Sequence, residues 1–293
     1  MAVTPPGYPL LLASVHVPLA GAPSPRCPEE PAIAADLHPL LADLRAEHHD
    51  LRALVKDADL EAPTPAEGWS VRDAIAHLAG TDLEATRAMR EPEDFVTGLV
   101  EVSQDVEGFL TRQLTSRRGL RRGELLAQWA TGFDAMLEAF ENVPAGTRIP
   151  WYGPPMSPRS FATARLMEYW AHGQDVADGL VVARVPTARL RHLAHLGVLT
   201  RGFSYANRGL APDQTPVGVE LTGPDGEVWR YGDPDAEQTV VGPAVDFCLL
   251  VTQRRHRDDL ALVATGGAAS SWLDVAQCFA GPPGPGRPPV SHG

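Results

Sequence analysis

Between Asp36 and Leu60 the apolar residues Leu37, Leu40, Leu41, Leu44, Leu51, Leu54 and Val55 recur mostly at three- and four-residue steps. That spacing places them on one face of a helix. Pro63 and Pro65 end the pattern, because proline cannot donate within a helix. A second helix is expected from Ser70, with Asp73 three residues on as a short-armed version of a capping box. It runs through Ala74, Ile75, His77 and Leu78. Residues 94–116 read as a third helix. Residues 123–141, with Leu125, Leu126, Trp129, Phe133, Met136, Leu137 and Phe140, continue the helical period. A further helix spans 158–180, opening at Ser157-Pro158 and closing near Gly179. Amphipathic helices with short connections predict an antiparallel helical bundle.

The period changes after Pro186. Residues 187–204 read as one more helix, and then short alternating runs begin. Val217-Gly-Val-Glu-Leu-Thr reads as a strand, Pro224-Asp-Gly as a turn and Val228-Trp-Arg-Tyr as the hairpin partner. Gln238 to Val241 is a third strand, and Leu260-Ala-Leu-Val-Ala a strand between helices at 243–253 and 268–279. The fold class expected is α+β, a helical bundle followed by a smaller α/β domain. Residues 1–34 hold Pro5, Pro6, Pro9, Pro18, Pro23, Pro25, Pro28 and Pro31, and residues 282–293 are also dense in proline and glycine. Neither stretch suits a helix or sheet interior. The expected division is therefore an extension at 1–34, the bundle at 35–182, the second domain at 185–281 and an unpacked tail from 282. No internal repeat is visible.

Composition narrows the classes of function. Hydrophobic residues make up 44% of the 293 and charged residues 21%, an ordinary globular balance. The net charge of −12 excludes a general nucleic-acid binder, which needs a basic surface. No run approaches the 18 apolar residues of a membrane span. The N-terminal Pro9-Leu10-Leu11-Leu12-Ala13 has no basic segment before it, so neither a signal peptide nor an anchor is expected. The three cysteines, Cys27, Cys248 and Cys278, form no Cys-x-x-Cys pair. A cytoplasmic protein acting on a small molecule fits these features, with the oligomeric state left open between monomer and homodimer.

Candidate chemistry concentrates in three residues. Glu168 and His172 stand four apart on one helix, which puts both side chains on the same face. His77, in the middle of the second helix, would complete a three-ligand site with an open position. Imidazole with carboxylate suits zinc, iron or nickel. The spacing is common by chance, and a hydrogen-bonded His172 with a solvent-facing Glu168 is the plainer alternative. Asp175, three residues after His172, is placed either to support a ligand imidazole or to pair with a neighbouring arginine. Tyr169 and Trp170 read as core or pocket wall, and Trp69 as a helix-entry packing residue. His48 and His49 read as surface or packing residues, and His192 and His195 lack a nearby carboxylate. Arg117-Arg118 and Arg121-Arg122 read as a solvated basic loop, and Cys248 as buried and inert.

Two segments carry a family resemblance. Gly68-Trp-Ser-Val-Arg-Asp-Ala-Ile-Ala-His77-Leu-Ala resembles the second-helix signature of the DinB-like superfamily, which implies an antiparallel four-helix bundle. Glu168-Tyr-Trp-Ala-His172-Gly-Gln-Asp175 resembles the last-helix signature of its mycothiol-dependent maleylpyruvate isomerase branch. Val245-Asp-Phe-Cys-Leu-Leu-Val-Thr-Gln-Arg-Arg-His-Arg-Asp-Asp and Trp272-Leu-Asp-Val-Ala-Gln resemble an uncharacterised actinobacterial subgroup. The resemblance covers roughly residues 35–285. It implies a divalent metal, zinc above all, held by His77, Glu168 and His172, with mycothiol as a cosubstrate. It implies a sterol-carrier-like second domain whose arginine reaches toward the metal pocket, a role that falls near Arg254 or Arg255. The activity implied is isomerisation or thiol transfer at an activated double bond or carbonyl. The competing readings are a thiol-independent lyase, hydratase or cyclase, and a non-catalytic metal- or ligand-binding protein.

Overall fold

The computed structural model of the chain describes residues 37–281, 283, 284 and 286–290. The expected extension at 1–34 lies outside them. The described residues run α1 (His38–Val55), α2 (Val71–Arg90), α3 (Pro92–Gln104), α4 (Val106–Arg118), α5 (Arg122–Glu141), α6 (Pro158–Gly179), α7 (Leu190–Leu199), α8 (Arg201–Ala206), β1 (Val217–Thr222), β2 (Val228–Gly232), β3 (Gln238–Pro243), α9 (Ala244–Val251), β4 (Val263–Thr265) and α10 (Gly267–Val275). This is an α+β fold with a helical N-terminal part. No described helix is long and apolar enough to cross a membrane.

Two expected helices are each interrupted. The stretch read as one helix over 94–116 divides at Asp105, which leaves helical geometry at φ −149°. Its carboxylate accepts from the Gly108 backbone N–H at 2.9 Å and so caps α4. The stretch at 187–204 divides at Thr200, which leaves helical geometry at φ −90°, ψ 9° between α7 and α8.

The chain forms two compact units. One contains Arg72–Ala162 with the first part of α1, and the other contains Glu47–Val71 and everything from Thr163 onward. In the first unit, Phe161 packs on Phe140 with ring centroids at 5.6 Å and on Trp151 at 4.9 Å. Arg118 donates to Asp73 at 2.5 Å, and Arg117 is buried. Arg117 of the basic run is thus packed in, while Arg118 stays exposed with a bond to Asp73 of α2.

In the second unit the sheet has the order β2-β1-β3-β4, with β1 antiparallel to β2 and parallel to β3. Val217, Val219 and Leu221 alternate inward along β1, and α9 packs against β1 and β3. Gly232 closes β2 at φ 76°, where an added Cβ would meet the Val217 carbonyl at 2.4 Å. Phe247 of α9 and Trp272 of α10 meet edge to face at 5.7 Å. Buried Glu47 of α1 binds both Arg184 and Arg189, which fixes the chain that follows α6.

Candidate metal centre

The site is built on α6. Ser157 starts the helix, its hydroxyl accepting from the Ser160 backbone N–H at 3.1 Å, and Pro158 presets the first turn. The helix carries Glu168 and His172 on one face, as their spacing predicts. His172 Nε2 stands 3.4 Å from Glu168 Oε2, and His172 Nδ1 stands 3.5 Å from Asp175 Oδ2. Each imidazole nitrogen therefore faces a carboxylate.

The turn that precedes α2 closes one side of His172. Backbone bonds join Thr64 to Trp69 at 2.8 Å and Val71 to Ala62 at 3.0 Å. This turn lies so close to the end of α6 that a Cβ on Gly179 would come within 2.6 Å of the Pro63 carbonyl. It presents the Trp69 ring parallel to the His172 ring, centroids 5.6 Å apart and planes within 7°. Trp69 is thus a wall of the site as well as a helix-entry residue. His77 is buried on α2, and its carbonyl accepts from the Thr81 hydroxyl at 3.0 Å.

The last turn of α6 carries Asp175 and Asp178. Carboxylates at the negative end of a helix dipole are unfavourable in isolation. Three arginines offset this. Arg254 reaches both oxygens of Asp175, Nε at 3.2 Å and Nη2 at 2.8 Å. Arg255 binds Asp178 through both terminal nitrogens at 2.6 and 2.8 Å. Arg287 binds Asp175 and also Asp178, the latter at 3.0 Å. The chain end of α9 aims the first two. Gln253 adopts φ 59°, and the Arg254 N–H closes back on the Leu249 carbonyl at 2.8 Å. That reversal is a helix stop of the Schellman type, with glutamine where glycine is usual.

The family resemblance places near Arg254 or Arg255 an arginine that reaches toward the metal pocket. Each has its fork engaged with a carboxylate of α6. The tail from residue 282 was expected to be unpacked, and Arg287 departs from that. A single guanidinium finding two buried carboxylates is enough to hold its segment, whatever the surrounding proline and glycine content.

Electrostatics follow the contacts. Burial works against the charged form of His172, but Asp175 and Glu168 outweigh it and raise the imidazole above its ordinary range. Burial likewise opposes ionisation of Asp175, yet Arg254, His172 and Arg287 hold its carboxyl well below the ordinary carboxylate value. Asp178 is lowered too, against its own burial, by Arg255, Gln174 and Arg287. Burial pushes the Cys278 thiol up to about 12 and Cys248 well above its usual value, so both are inert at neutral pH, as expected of Cys248. His48 is a packing residue, edge-on to Tyr169 at 5.6 Å.

Of the sequence candidates, α6 brings Glu168, His172 and Asp175 together. Sequence reasoning passed over Asp178 and Arg287. Asp178 had a findable signal, since it follows Asp175 by one helical step on the same face. Arg287 had none.

Comparison with known proteins places these features. A family model described as the mycothiol maleylpyruvate isomerase N-terminal domain matches residues 41–177. A second model, described as wyosine base formation, matches residues 214–265. Uncharacterized proteins from two strains of Mycobacterium tuberculosis are 47% identical over 256 residues, covering 86% of this chain and 100% of theirs. Crystal structures of a mycothiol-dependent maleylpyruvate isomerase and of a point mutant of it share the fold at TM-score 0.53 and 15% identity, covering 78% of this chain and 92% of theirs. The chain belongs to one family with these full-length mycobacterial relatives, and its residues 41–177 match the mycothiol maleylpyruvate isomerase N-terminal domain.

Proposed function

We propose that this protein is a metal-dependent enzyme that uses mycothiol to isomerise, or transfer a thiol to, a small unsaturated or carbonyl metabolite. The observation that carries the reading is His172, with Glu168 on one ring nitrogen and Asp175 on the other. Two atoms bound to one tetrahedral zinc at about 2.0–2.1 Å stand about 3.4 Å apart, which is the Glu168–His172 separation. A metal-binding histidine ordinarily gives its second nitrogen to a carboxylate, as Asp175 allows. His77 is the third ligand in this reading. In support, His77, Glu168 and His172 each offer a ligand atom, all within 4.8 Å of one another. The donor set of two imidazoles and a carboxylate fits zinc and also admits iron or nickel.

A divalent metal held there would supply Lewis acidity and make a thiol acidic enough to attack near neutral pH. The remaining work belongs to the chain. Asp175, pinned by Arg254 and Arg287, holds the His172 ring in one orientation. Trp69 covers one face of that ring and keeps water from it. Arg254 and Arg255 act in this reading as positioning residues through Asp175 and Asp178.

The test is spectroscopic. Protein loaded with cobalt(II) should show a tetrahedral visible spectrum. Adding mycothiol should give a new near-ultraviolet sulfur-to-cobalt band, and Glu168→Gln should lose both. A cobalt spectrum that ignores mycothiol would leave the thiol-independent alternative in its place.

A further inference from the structure

A second feature lies wholly within the unit that carries the sheet. A hollow of 410 Å³ has Arg208, Arg255, Arg257 and Arg287 in its wall against two carboxylates, Asp258 and Asp274. That volume suits a small-molecule site. Three of the four arginines have acidic partners: Arg255 binds Asp178, Arg287 binds Asp175 and Asp178, and Arg257 binds Asp274.

Arg208 is different. Its guanidinium donates to the Val275 carbonyl at 2.8 Å, the Gly284 carbonyl at 3.2 Å, the Ser204 carbonyl at 3.3 Å and the Gln277 side-chain oxygen at 3.5 Å. Every one of these acceptors is neutral. Carbonyls orient a guanidinium without cancelling its charge. Burial alone lowers its pKa, and no carboxylate among the described residues offsets that. Burying a cation against neutral acceptors is costly, and a counter-anion relieves the cost. The other arginines of the wall are matched by carboxylates, so Arg208 is the wall arginine whose acceptors are all neutral, in a chain that carries −12 overall.

We propose that this hollow binds a small oxyanion, a phosphate or carboxylate group of a metabolite, with Arg208 as its principal charge. Arg257 and His256 lie within the same wall and can add donors. The inference goes beyond the metal reading and does not depend on it, since none of the three proposed ligands lines the hollow.

The experiment is calorimetric titration of the full-length protein with inorganic phosphate and, separately, with succinate. Each is compared with sodium chloride at matched ionic strength. Saturable binding of at least one probe is expected, and which probe binds identifies the group. Arg208→Gln should weaken it by about tenfold or more, the loss of a charge-assisted contact. Asp258→Asn should tighten it about threefold by removing a nearby like charge. Asp258 is 74% exposed, so that variant keeps the fold even if Arg208→Gln does not. His172→Ala should bind the probe unchanged. No saturable binding beyond chloride would overturn the proposal. So would an Asp258→Asn affinity equal to wild type, or loss of binding in His172→Ala, which would put the anion at the metal-site residues instead.

Discussion

The arginines that pair with α6 and Arg208 are the same residue type put to opposite uses. Arg254, Arg255 and Arg287 face carboxylates at the helix end, and their charge is spent on geometry. Arg208 faces only neutral oxygens, and its charge stays available. The acceptor chemistry, not the arginine, separates scaffold from binding site. A guanidinium against Asp175 can steer His172 but cannot also hold a substrate anion with the same fork.

The largest effect that could break this contrast is at Asp175. Asp175→Asn would leave Arg254 and Arg287 against a neutral amide in a buried place, and should cost about 3–5 kcal/mol of stability. It should also weaken metal binding by about 10- to 100-fold through the loosened His172 ring. Chemical denaturation and a competitive metal titration would measure the two losses. Arg208→Gln, which removes bonds to neutral acceptors, should cost less, about 1–2 kcal/mol. Equal costs at the two places would erase the distinction.

Acid stability sharpens the same point. Asp175 and Asp178 have folded-state pKa values below their ordinary values. Groups depressed in this way stabilise the fold above their unfolded pKa, about 3.9. That contribution is lost as pH falls toward the folded values. The wild-type Tm should therefore drop steeply below about pH 4. Asp175→Asn should flatten that fall, and Arg208→Gln should reproduce the wild-type slope. His172 shifts the other way. Its raised pKa favours the metal-free fold below about pH 6.5, and that support fades as pH rises through the higher folded value.

The smallest expected effect is at the helix end that aims the cluster. Val181 follows α6 at φ 57°, and the Val182 N–H closes on the Ala177 carbonyl at 2.8 Å. A β-branched residue is strained there. Val181→Gly should raise stability by about 1 kcal/mol, with metal content unchanged. Its side chain is exposed, so no packing is lost.

The two kinds of region also differed in how far the sequence revealed them. Helices α2, α5 and α6 and strands β1 to β3 were legible because their apolar residues repeat at 3.6 or 2 residues, a local property. Glu168 and His172 were legible for the same reason, being one helical turn apart. The break at Asp105 was not, since a side chain competing for the backbone leaves the hydrophobic period intact. The partners of Asp175 were hidden because Arg254 and Arg287 come from 79 and 112 residues away. Gln253 and Val181 in left-handed backbone gave no warning, because the usual glycine is missing. Arg208 was invisible as a site, for its character lies in which neutral atoms surround it.

The central claim, a metal held by His77, Glu168 and His172, meets its most direct test in metal content. Wild type, His77→Ala, His172→Ala and a control, His49→Ala, would be purified alike, incubated with zinc, desalted and assayed by mass spectrometry, with Tm measured alongside. His49 is 81% exposed and stands apart from the proposed ligands. About one zinc per chain is expected in wild type and His49→Ala, and near none in the other two while they remain folded. Folded His77→Ala or His172→Ala protein that keeps its zinc, or folded wild type that takes up none, would contradict the account.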